Sequence, residues 1–252
     1  MAAETGMDPI HQFAIQSIVD WHPFGVNASF TNASLFMVIV VAAIALLMLA
    51  GTRSRAIVPG RLQSMAEMTY EFVASTVRLT AGQAGMRFFP FIFSLFMFVL
   101  VSNLVGLFPY TFSVTSQIVV TFALAILVNG LVLVYGFYKH GLHFLRLFVP
   151  SGVTIVLLPF VVMIEILSFA ARPISLSVRL FGNILAGHIT LKIMGGFVAA
   201  LLGAGVFAII APLPLIATVI FMALELLVAV LQAYVFAILS CVYINDAIHP
   251  GH

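Results

Sequence analysis

Six ionisable side chains lie deep in otherwise apolar stretches of this sequence: Glu165, Arg172, Arg179, His188, Lys192 and Glu225. A charged group at the bilayer centre costs at least about 2.5 kcal/mol on insertion scales, so groups kept there are expected to face protein or water and to mark function. With a helix turning about 100° per residue and Arg179 set at zero, Ser175 falls at about −40° and Arg172 at about +20°. Ser168 falls at about −20°, and Glu165 and Asn183 both at about +40°. These polar residues share one face, and the stripe reaches about 21 Å along the axis from Arg179 to Glu165. It reads as one wall of an aqueous path. Arg179 stays protonated at any physiological pH, so it serves as a fixed positive charge and not as a relay. Its own turn holds no carboxylate, and its counter-charge is expected from another helix or another chain.

By the same count His188 lies at about 180°, on the opposite face and about 13.5 Å further along the axis. Glu225 and Gln232 are seven residues apart and share a helical face, about 10.5 Å from each other. If the last two helices run antiparallel with Gln232 level with Arg179, Glu225 comes level with His188 to within about one turn. An imidazole titrates near neutrality, and a carboxyl group beside it makes a proton-exchange site. Plainer roles stand beside these. His188 also fits a satisfied core histidine, and Ser168, Ser175, Asn183 and Gln232 also fit interhelical hydrogen-bonding groups worth about 1 kcal/mol or less. Gly182 and Gly187 suit close helix packing. Arg172 and Lys192 fit equally well as long side chains whose stems lie in lipid while their charges reach an interface, and they stay outside the site.

Composition frames these residues. Of 252 residues, 63% are hydrophobic and 7% charged, which excludes an ordinary soluble domain and indicates a polytopic membrane protein. A net charge of +2 is too small and too scattered for nucleic acid or for a polybasic lipid-binding patch. The single Cys241 excludes an intramolecular disulfide and offers no metal cluster; it reads as a small packing residue. Residues 1–32 carry Glu4, Asp8 and Asp20 without Lys or Arg, and they lack the basic region and short apolar core of a cleavable signal. They are expected to form an external, non-spanning segment, with Trp21, His22, Pro23 and Phe24 at the interface.

The elements follow from apolar length and charge. Residues 33–51 form an uncharged run long enough to span, and Arg53, Arg55 and Arg61 in the next loop place that end in the cytoplasm and the N-terminus outside. In residues 61–82 the side chains Gln63, Glu67, Glu71 and Arg78 share a face, with Leu62, Met65, Phe72 and Leu79 away from it, which predicts an amphipathic helix on the cytoplasmic surface. Residues 88–138 contain no charge and supply a helical hairpin that turns at NLVGLFPYTFS, residues 103–113. Lys139, His140, His143 and Arg146 return it to the cytoplasm, and Pro150 ends the loop. Residues 151–194 and 215–245 each exceed the roughly 20 needed to cross, so they are expected to be tilted, bent or broken. Pro159 and Pro173 are placed to kink the first of them, and Pro212 and Pro214 are candidate breakpoints before the second. The predicted fold is an all-α integral membrane protein: about five embedded helices and one amphipathic surface helix, in a single membrane domain spanning 33–252. The C-terminal DAIHPGH falls in the cytoplasm.

SLSVRLFGNILAG, with Glu165 upstream and the E-x6-Q of Glu225 to Gln232 in LELLVAVLQAYVFAILSCVYI, resembles subunit a of F-type ATP synthases; NLVGLFPY resembles the same family. The resemblance runs from the first span to the end of the chain. It implies a stator subunit, not catalytic by itself, whose arginine faces the Asp or Glu carboxylates of a rotating c-ring. Two aqueous half-channels meet near that arginine without connecting. Protons enter from the periplasm, neutralise a ring carboxylate, ride nearly a full turn through lipid and leave to the cytoplasm. Carried over by position, His188 and Glu225 lie in the uptake path, Gln232 and Asn183 beside Arg179, and Glu165, Ser168 and Ser175 in the release path. The implied partners are the c-ring, the b subunits of the peripheral stalk, the rest of the synthase, protons and the lipid bilayer, with no cofactor, metal or nucleic acid. The last two helices would form a tilted hairpin following the curved ring. Some bacterial members carry Glu at the position of His188 and His at that of Glu225; here the pair is exchanged, as in mitochondrial relatives. Length and N-terminus resemble alphaproteobacterial members, which implies a bacterial inner membrane, with a periplasmic N-terminus and a cytoplasmic C-terminus.

Two other classes would draw on the same residues. A proton-coupled secondary transporter is built around inverted repeats, which this sequence lacks. An intramembrane enzyme needs a nucleophile with a base, or clustered metal ligands, and the scattered histidines show no such spacing. The exchanged acid and imidazole predict mutual dependence. The double change His188→Glu with Glu225→His is expected to retain more proton transport than either single change, and additive losses in that double-mutant cycle would remove the coupling.

Overall fold

In hydrocarbon, each backbone N–H and C=O must be paired within the chain, so long uncharged runs become helices. The computed structural model describes residues 13–20, 29–53, 59–108, 111–149 and 157–249. Trp21, His22, Pro23 and Phe24, the loop residue Arg55, Pro150 and the expected start of the long tract at 151–156 lie outside the described residues. Six α-helices appear among them, falling in five segments long and apolar enough to cross a membrane, the second and third helices sharing one of these. The fold is that of an all-α membrane protein. Its sheet is limited to a short antiparallel pair, β1 (Ser17–Val19) with β2 (Phe30–Thr31), which leads into α1 (Asn32–Arg53). The Thr31 hydroxyl accepts a hydrogen bond from the Ser34 N–H at 3.4 Å and satisfies one open donor at the start of that helix.

α2 (Arg61–Gly85) turns a face of small residues inward, namely Ala66, Val73, Ala74, Val77 and Ala81. Leu62, Met65, Phe72 and Leu79 are exposed, although the Phe72 ring also packs on two other rings, with centroids 5.9 Å from Phe96 and 5.5 Å from Tyr234. Its helix is bent at Gly82. α3 (Phe89–Gly106) and α4 (Ile118–His140) form the hairpin. Their turn is polar but internally paired: Thr115 donates to Asn103 Oδ1 at 2.8 Å, and Asn103 Nδ2 donates to the Ala229 carbonyl at 3.2 Å.

α5 (Leu158–Gly203) has 46 residues and α6 (Pro212–Ile248) has 37. At 1.5 Å per residue they measure about 69 and 55 Å, far beyond a hydrocarbon core of about 30 Å, which requires strong tilt or extension past the membrane. Pro159 does not kink α5, contrary to the expectation from sequence. It occupies the first turn, where the missing N–H has no intrahelical acceptor to serve. Pro173 alone among the described prolines lies inside that helix. Gly195 and Gly196 remain helical, and the turn falls beyond them, where Gly205 adopts φ 64°. Pro212 and Pro214 then start α6.

α6 is the hub. Ala229, Ala233 and Ala237 recur every four residues and are fully buried, so α3 and α2 approach its backbone closely. Phe236, Ile244, Val73, Val77, Ile92, Phe96, Val128 and Val132 complete the core. The chain's cationic end of α4 serves α6 as well. Lys139 Nζ donates to the Ile248 carbonyl at 3.3 Å, and His140 Nε2 lies 3.2 Å from the same oxygen, placing basic groups at that helix C-terminus.

α5 and α6 are also clasped directly. Arg172 Nη1 meets Asp246 Oδ2 at 2.8 Å, and the guanidinium lies 5.2 Å from the Phe169 ring centre and 4.9 Å from that of Tyr243. This ion pair replaces the lipid-snorkelling role that Arg172 could have taken. Asp246→Ala is expected to cost about 1.5–3 kcal/mol, the worth of a hydrogen bond to a charged group, and to lower the yield of intact complex after detergent extraction. The exchange Arg172→Asp with Asp246→Arg is expected to recover most of that yield.

Candidate functional site

Apolar packing decides which way α5 presents its polar residues. Phe169, Leu176, Ser177, Leu180 and Ile184 are its buried residues, a seam along which it packs against α4 and α6. Ser177 is the polar member of that seam, and its hydroxyl is 3.1 Å from the Thr121 hydroxyl of α4. Once this seam is buried, helical spacing sets the rest. Ser168, Ser175, Arg179 and Asn183 are exposed along one edge of the seam, with Glu165 half-buried in line with them. No hydrogen bond or ion pair joins these five residues, or the half-buried Gln232 of α6, to other described side chains.

The other edge of the seam carries His188. Its Nε2 lies 3.9 Å from Glu225 Oε1, so the two groups are in ion-pair range although beyond hydrogen-bond length. Both are shielded, with side-chain exposures of 16% and 4%. Neither carboxylate oxygen of Glu225 accepts a hydrogen bond from the described residues. An acid held at this distance from an imidazole is arranged for proton exchange after a small side-chain rotation or across one water. The structure thus brings His188 and Glu225 together and keeps Arg179 apart from them, with Leu180 and Ile184, each 1% exposed, in the seam between.

A cavity of about 280 Å³ opens beside His188. Leu107 and Phe108 past the end of α3, Ser113 of the following turn, Lys192 one helical turn beyond His188, and Met222 of α6 contribute to its wall. Phe13 closes part of it, its ring set edge-on to the His188 imidazole with centroids 6.0 Å apart.

Gly187, read from sequence as a close-packing residue, packs on the acid itself: a Cβ there would lie 2.6 Å from Glu225 Oε1, so its missing side chain is what admits the carboxyl group. Gly182, by contrast, has nothing within 4 Å of such a Cβ. Three other contributors, Asn103, Asp246 and Phe13, escaped the reading of the sequence. Asn103 bonds the Ala229 carbonyl, one turn past Glu225 on α6, and its presence in an apolar helix was a signal of burial with a partner. Asp246 is the partner of Arg172 across 74 residues, and no local pattern joins them. Phe13 reaches the site from a segment without helical periodicity.

Comparison with known proteins gives a family. The family model of the ATP synthase A chain matches residues 34–245. The chain is 64% identical to the ATP synthase subunit a of Beijerinckia indica, over all of both chains. It is 65% identical to that of Chelativorans sp. (strain BNC1), covering 97% of this chain and 99% of the relative. With the subunit a of Rhizobium etli (strain CIAT 652) it shares 64% identity over 97% and 98% of the two chains.

The packing of Gly187 on Glu225 yields a direct test. Gly187→Ala is expected to displace the carboxyl group and reduce proton conduction about tenfold or more, the scale on which small misplacements in a reacting pair act. The matched change Gly130→Ala, on α4 with open space around it, is expected to leave conduction near the wild-type value.

Proposed function

The chain belongs to the ATP synthase A chain family, and from that premise we propose that it is the proton-translocating stator subunit of a bacterial F-type ATP synthase. It is a membrane component of that complex, and it acts there as a channel subunit without catalysing phosphoryl transfer itself. The observation that carries the mechanism is the separation of Arg179 from the His188–Glu225 pair by the buried seam of Leu180 and Ile184. Two polar features on one helix, divided by tight apolar packing, suit two half-channels that do not join.

In this reading protons are taken up through the cavity beside His188, pass between His188 and Glu225, and reach a carboxyl group on a ring of c subunits. The open face bearing Ser168, Ser175, Arg179 and Asn183 meets that ring, with Gln232 of α6 beside it. Glu165, Ser168 and Ser175 line the release path. Arg179 supplies the asymmetry. A protonated ring carboxyl group that arrives opposite a permanent guanidinium is favoured in its ionised form and gives up its proton to the release path, leaving the carboxylate. A protonated ring carboxyl has no such attraction and can move into lipid, where a charge is costly. The same positive charge opposes a direct leak of protons between the two paths. Each proton crossing 100 mV delivers about 2.3 kcal/mol, so several crossings must be coupled to each ATP made.

The remaining placements follow the same family. The α1 N-terminus and the cavity mouth face the periplasm, the C-terminus of α6 faces the cytoplasm, and the b subunits of the peripheral stalk hold the chain against rotation. A proton-coupled carrier working alone is the less favoured reading. Gentle purification is expected to recover the chain with an oligomeric ring of small acid-bearing hairpins, whereas recovery as an active monomeric carrier would sink the stator reading. Arg179→Ala is expected to abolish proton-driven ATP synthesis while assembly persists. Synthesis near the wild-type rate in membranes carrying that variant would refute the role given to the arginine.

A further inference from the structure

The segment before α1 is exposed from Ala14 to Asp20, yet it is tied down at several points. Gln117 Nε2 donates to the Phe13 carbonyl at 3.0 Å, and Asn32 Nδ2 donates to the Ala14 carbonyl at 3.1 Å. The Gln16 N–H donates to Asn32 Oδ1 at 3.2 Å, and the Asn32 N–H donates to the Gln16 carbonyl at 3.0 Å. Pairing of Ser17 with Thr31 and of Val19 with Phe30 adds the β1–β2 ladder. Ordering a chain segment costs about 1–2 kcal/mol of backbone entropy per residue, and burial of apolar side chains ordinarily offsets it. Within 13–20 only Phe13 is even half-buried, while Ile15, Ile18 and Val19 remain exposed. The strap therefore does little for the core. What it accomplishes is to hold one aromatic ring over the cavity, edge-on to His188.

We propose that Phe13 is a positioning residue that caps the cavity leading to the His188–Glu225 pair, holding the imidazole in place and narrowing the mouth so that water passes and larger solutes do not. The strap is anchored to the starts of two helices. Gln117 fixes Phe13 to the start of α4, and Asn32 fixes the following residues to the start of α1. Of the residues lining the cavity, Phe13 is contributed by neither the α3–α4 hairpin nor the α5–α6 pair. Removing its ring widens the opening without altering a helix. The proposal rests on the uptake role given to this cavity, but its test reads access and not proton flow.

The native Cys241 is buried in α6, so Cys241→Ala leaves a background free of cysteine into which Ser113→Cys places one thiol on the cavity wall. In the intact synthase in membranes, this thiol is labelled with a small methanethiosulfonate and with a bulky fluorescein maleimide. Loss of an aromatic contact worth about 0.5–1.5 kcal/mol corresponds to roughly twofold to twelvefold greater opening, so Phe13→Ala is expected to speed bulky labelling by about that factor. The small reagent is expected to react at nearly the same rate in both proteins. Phe13→Leu, which keeps a large apolar group, is expected to restore most of the size discrimination. Gln117→Ala, which frees the strap from a residue outside the cavity wall, is expected to act in the same direction and provides the readout should Phe13→Ala fail to assemble. Bulky labelling that stays unchanged in the assembled variants overturns the cap. A different result addresses the uptake role: if the labelled Ser113→Cys protein pumps protons at the unlabelled rate, the cavity is not the uptake path, while the size discrimination set by Phe13 stands.

Discussion

Placing the Arg179 guanidinium on an open helix face at membrane depth costs several kcal/mol unless water or a counter-charge is supplied there. No described residue of the chain supplies it. The neighbouring Arg172 shows the contrasting solution, since Asp246 and two aromatic rings surround it. Two arginines seven residues apart on one helix are thus treated oppositely, one neutralised for structure and one left open. In the function proposed above, the open positive charge is met by a negative partner that comes and goes, and the remaining features of α5 suit that arrangement.

The second feature is insulation. The proposed division of two aqueous paths by Arg179 requires tight packing between them, and Leu176, Leu180 and Ile184 pack there at exposures of 3%, 1% and 1%. The seam depends in turn on α6, whose alanines bring the surrounding helices close and whose C-terminal end is held by Lys139, His140 and the Arg172–Asp246 clasp. Glu225 is the first buried residue of α6. Before it, Leu213, Leu215, Ile216, Val219 and Ile220 are all exposed, so the acid sits where the helix passes from an outward apolar surface into the packed bundle. A carboxyl group at that boundary is sheltered by Gly187 on one side and neighboured on the other by His188, which lines the cavity.

Much of this was legible in the residues. Apolar run lengths specify helices because lipid leaves no other partner for the backbone, and the spacing of Ser168, Ser175, Arg179 and Asn183 specifies a common face because the helical period is fixed. The level of His188 with Glu225 also followed from spacing once an antiparallel register was assumed. Other features were not legible. Pro159 looks like a kink in a sequence window, but a proline loses nothing when the helix begins there. Gly195 and Gly196 lie just past the expected end of the tract at 194, yet the helix runs through them to Gly203. His188 and Arg179 read as opposed faces in an angular count, and burial adds that one packed seam lies between them.

By itself the sequence determined the fold class, the polar stripe and the identity of the groups able to hold or move a proton, since each rests on residue type and local periodicity. Only the tertiary structure decided which charges are neutralised, which glycine makes room for the acid and which aromatic covers the imidazole. Asp246 is 74 residues from Arg172 and Gln117 is 104 from Phe13. Local periodicity carries no information about such distances, because they are set by how helices stack once their apolar faces are buried.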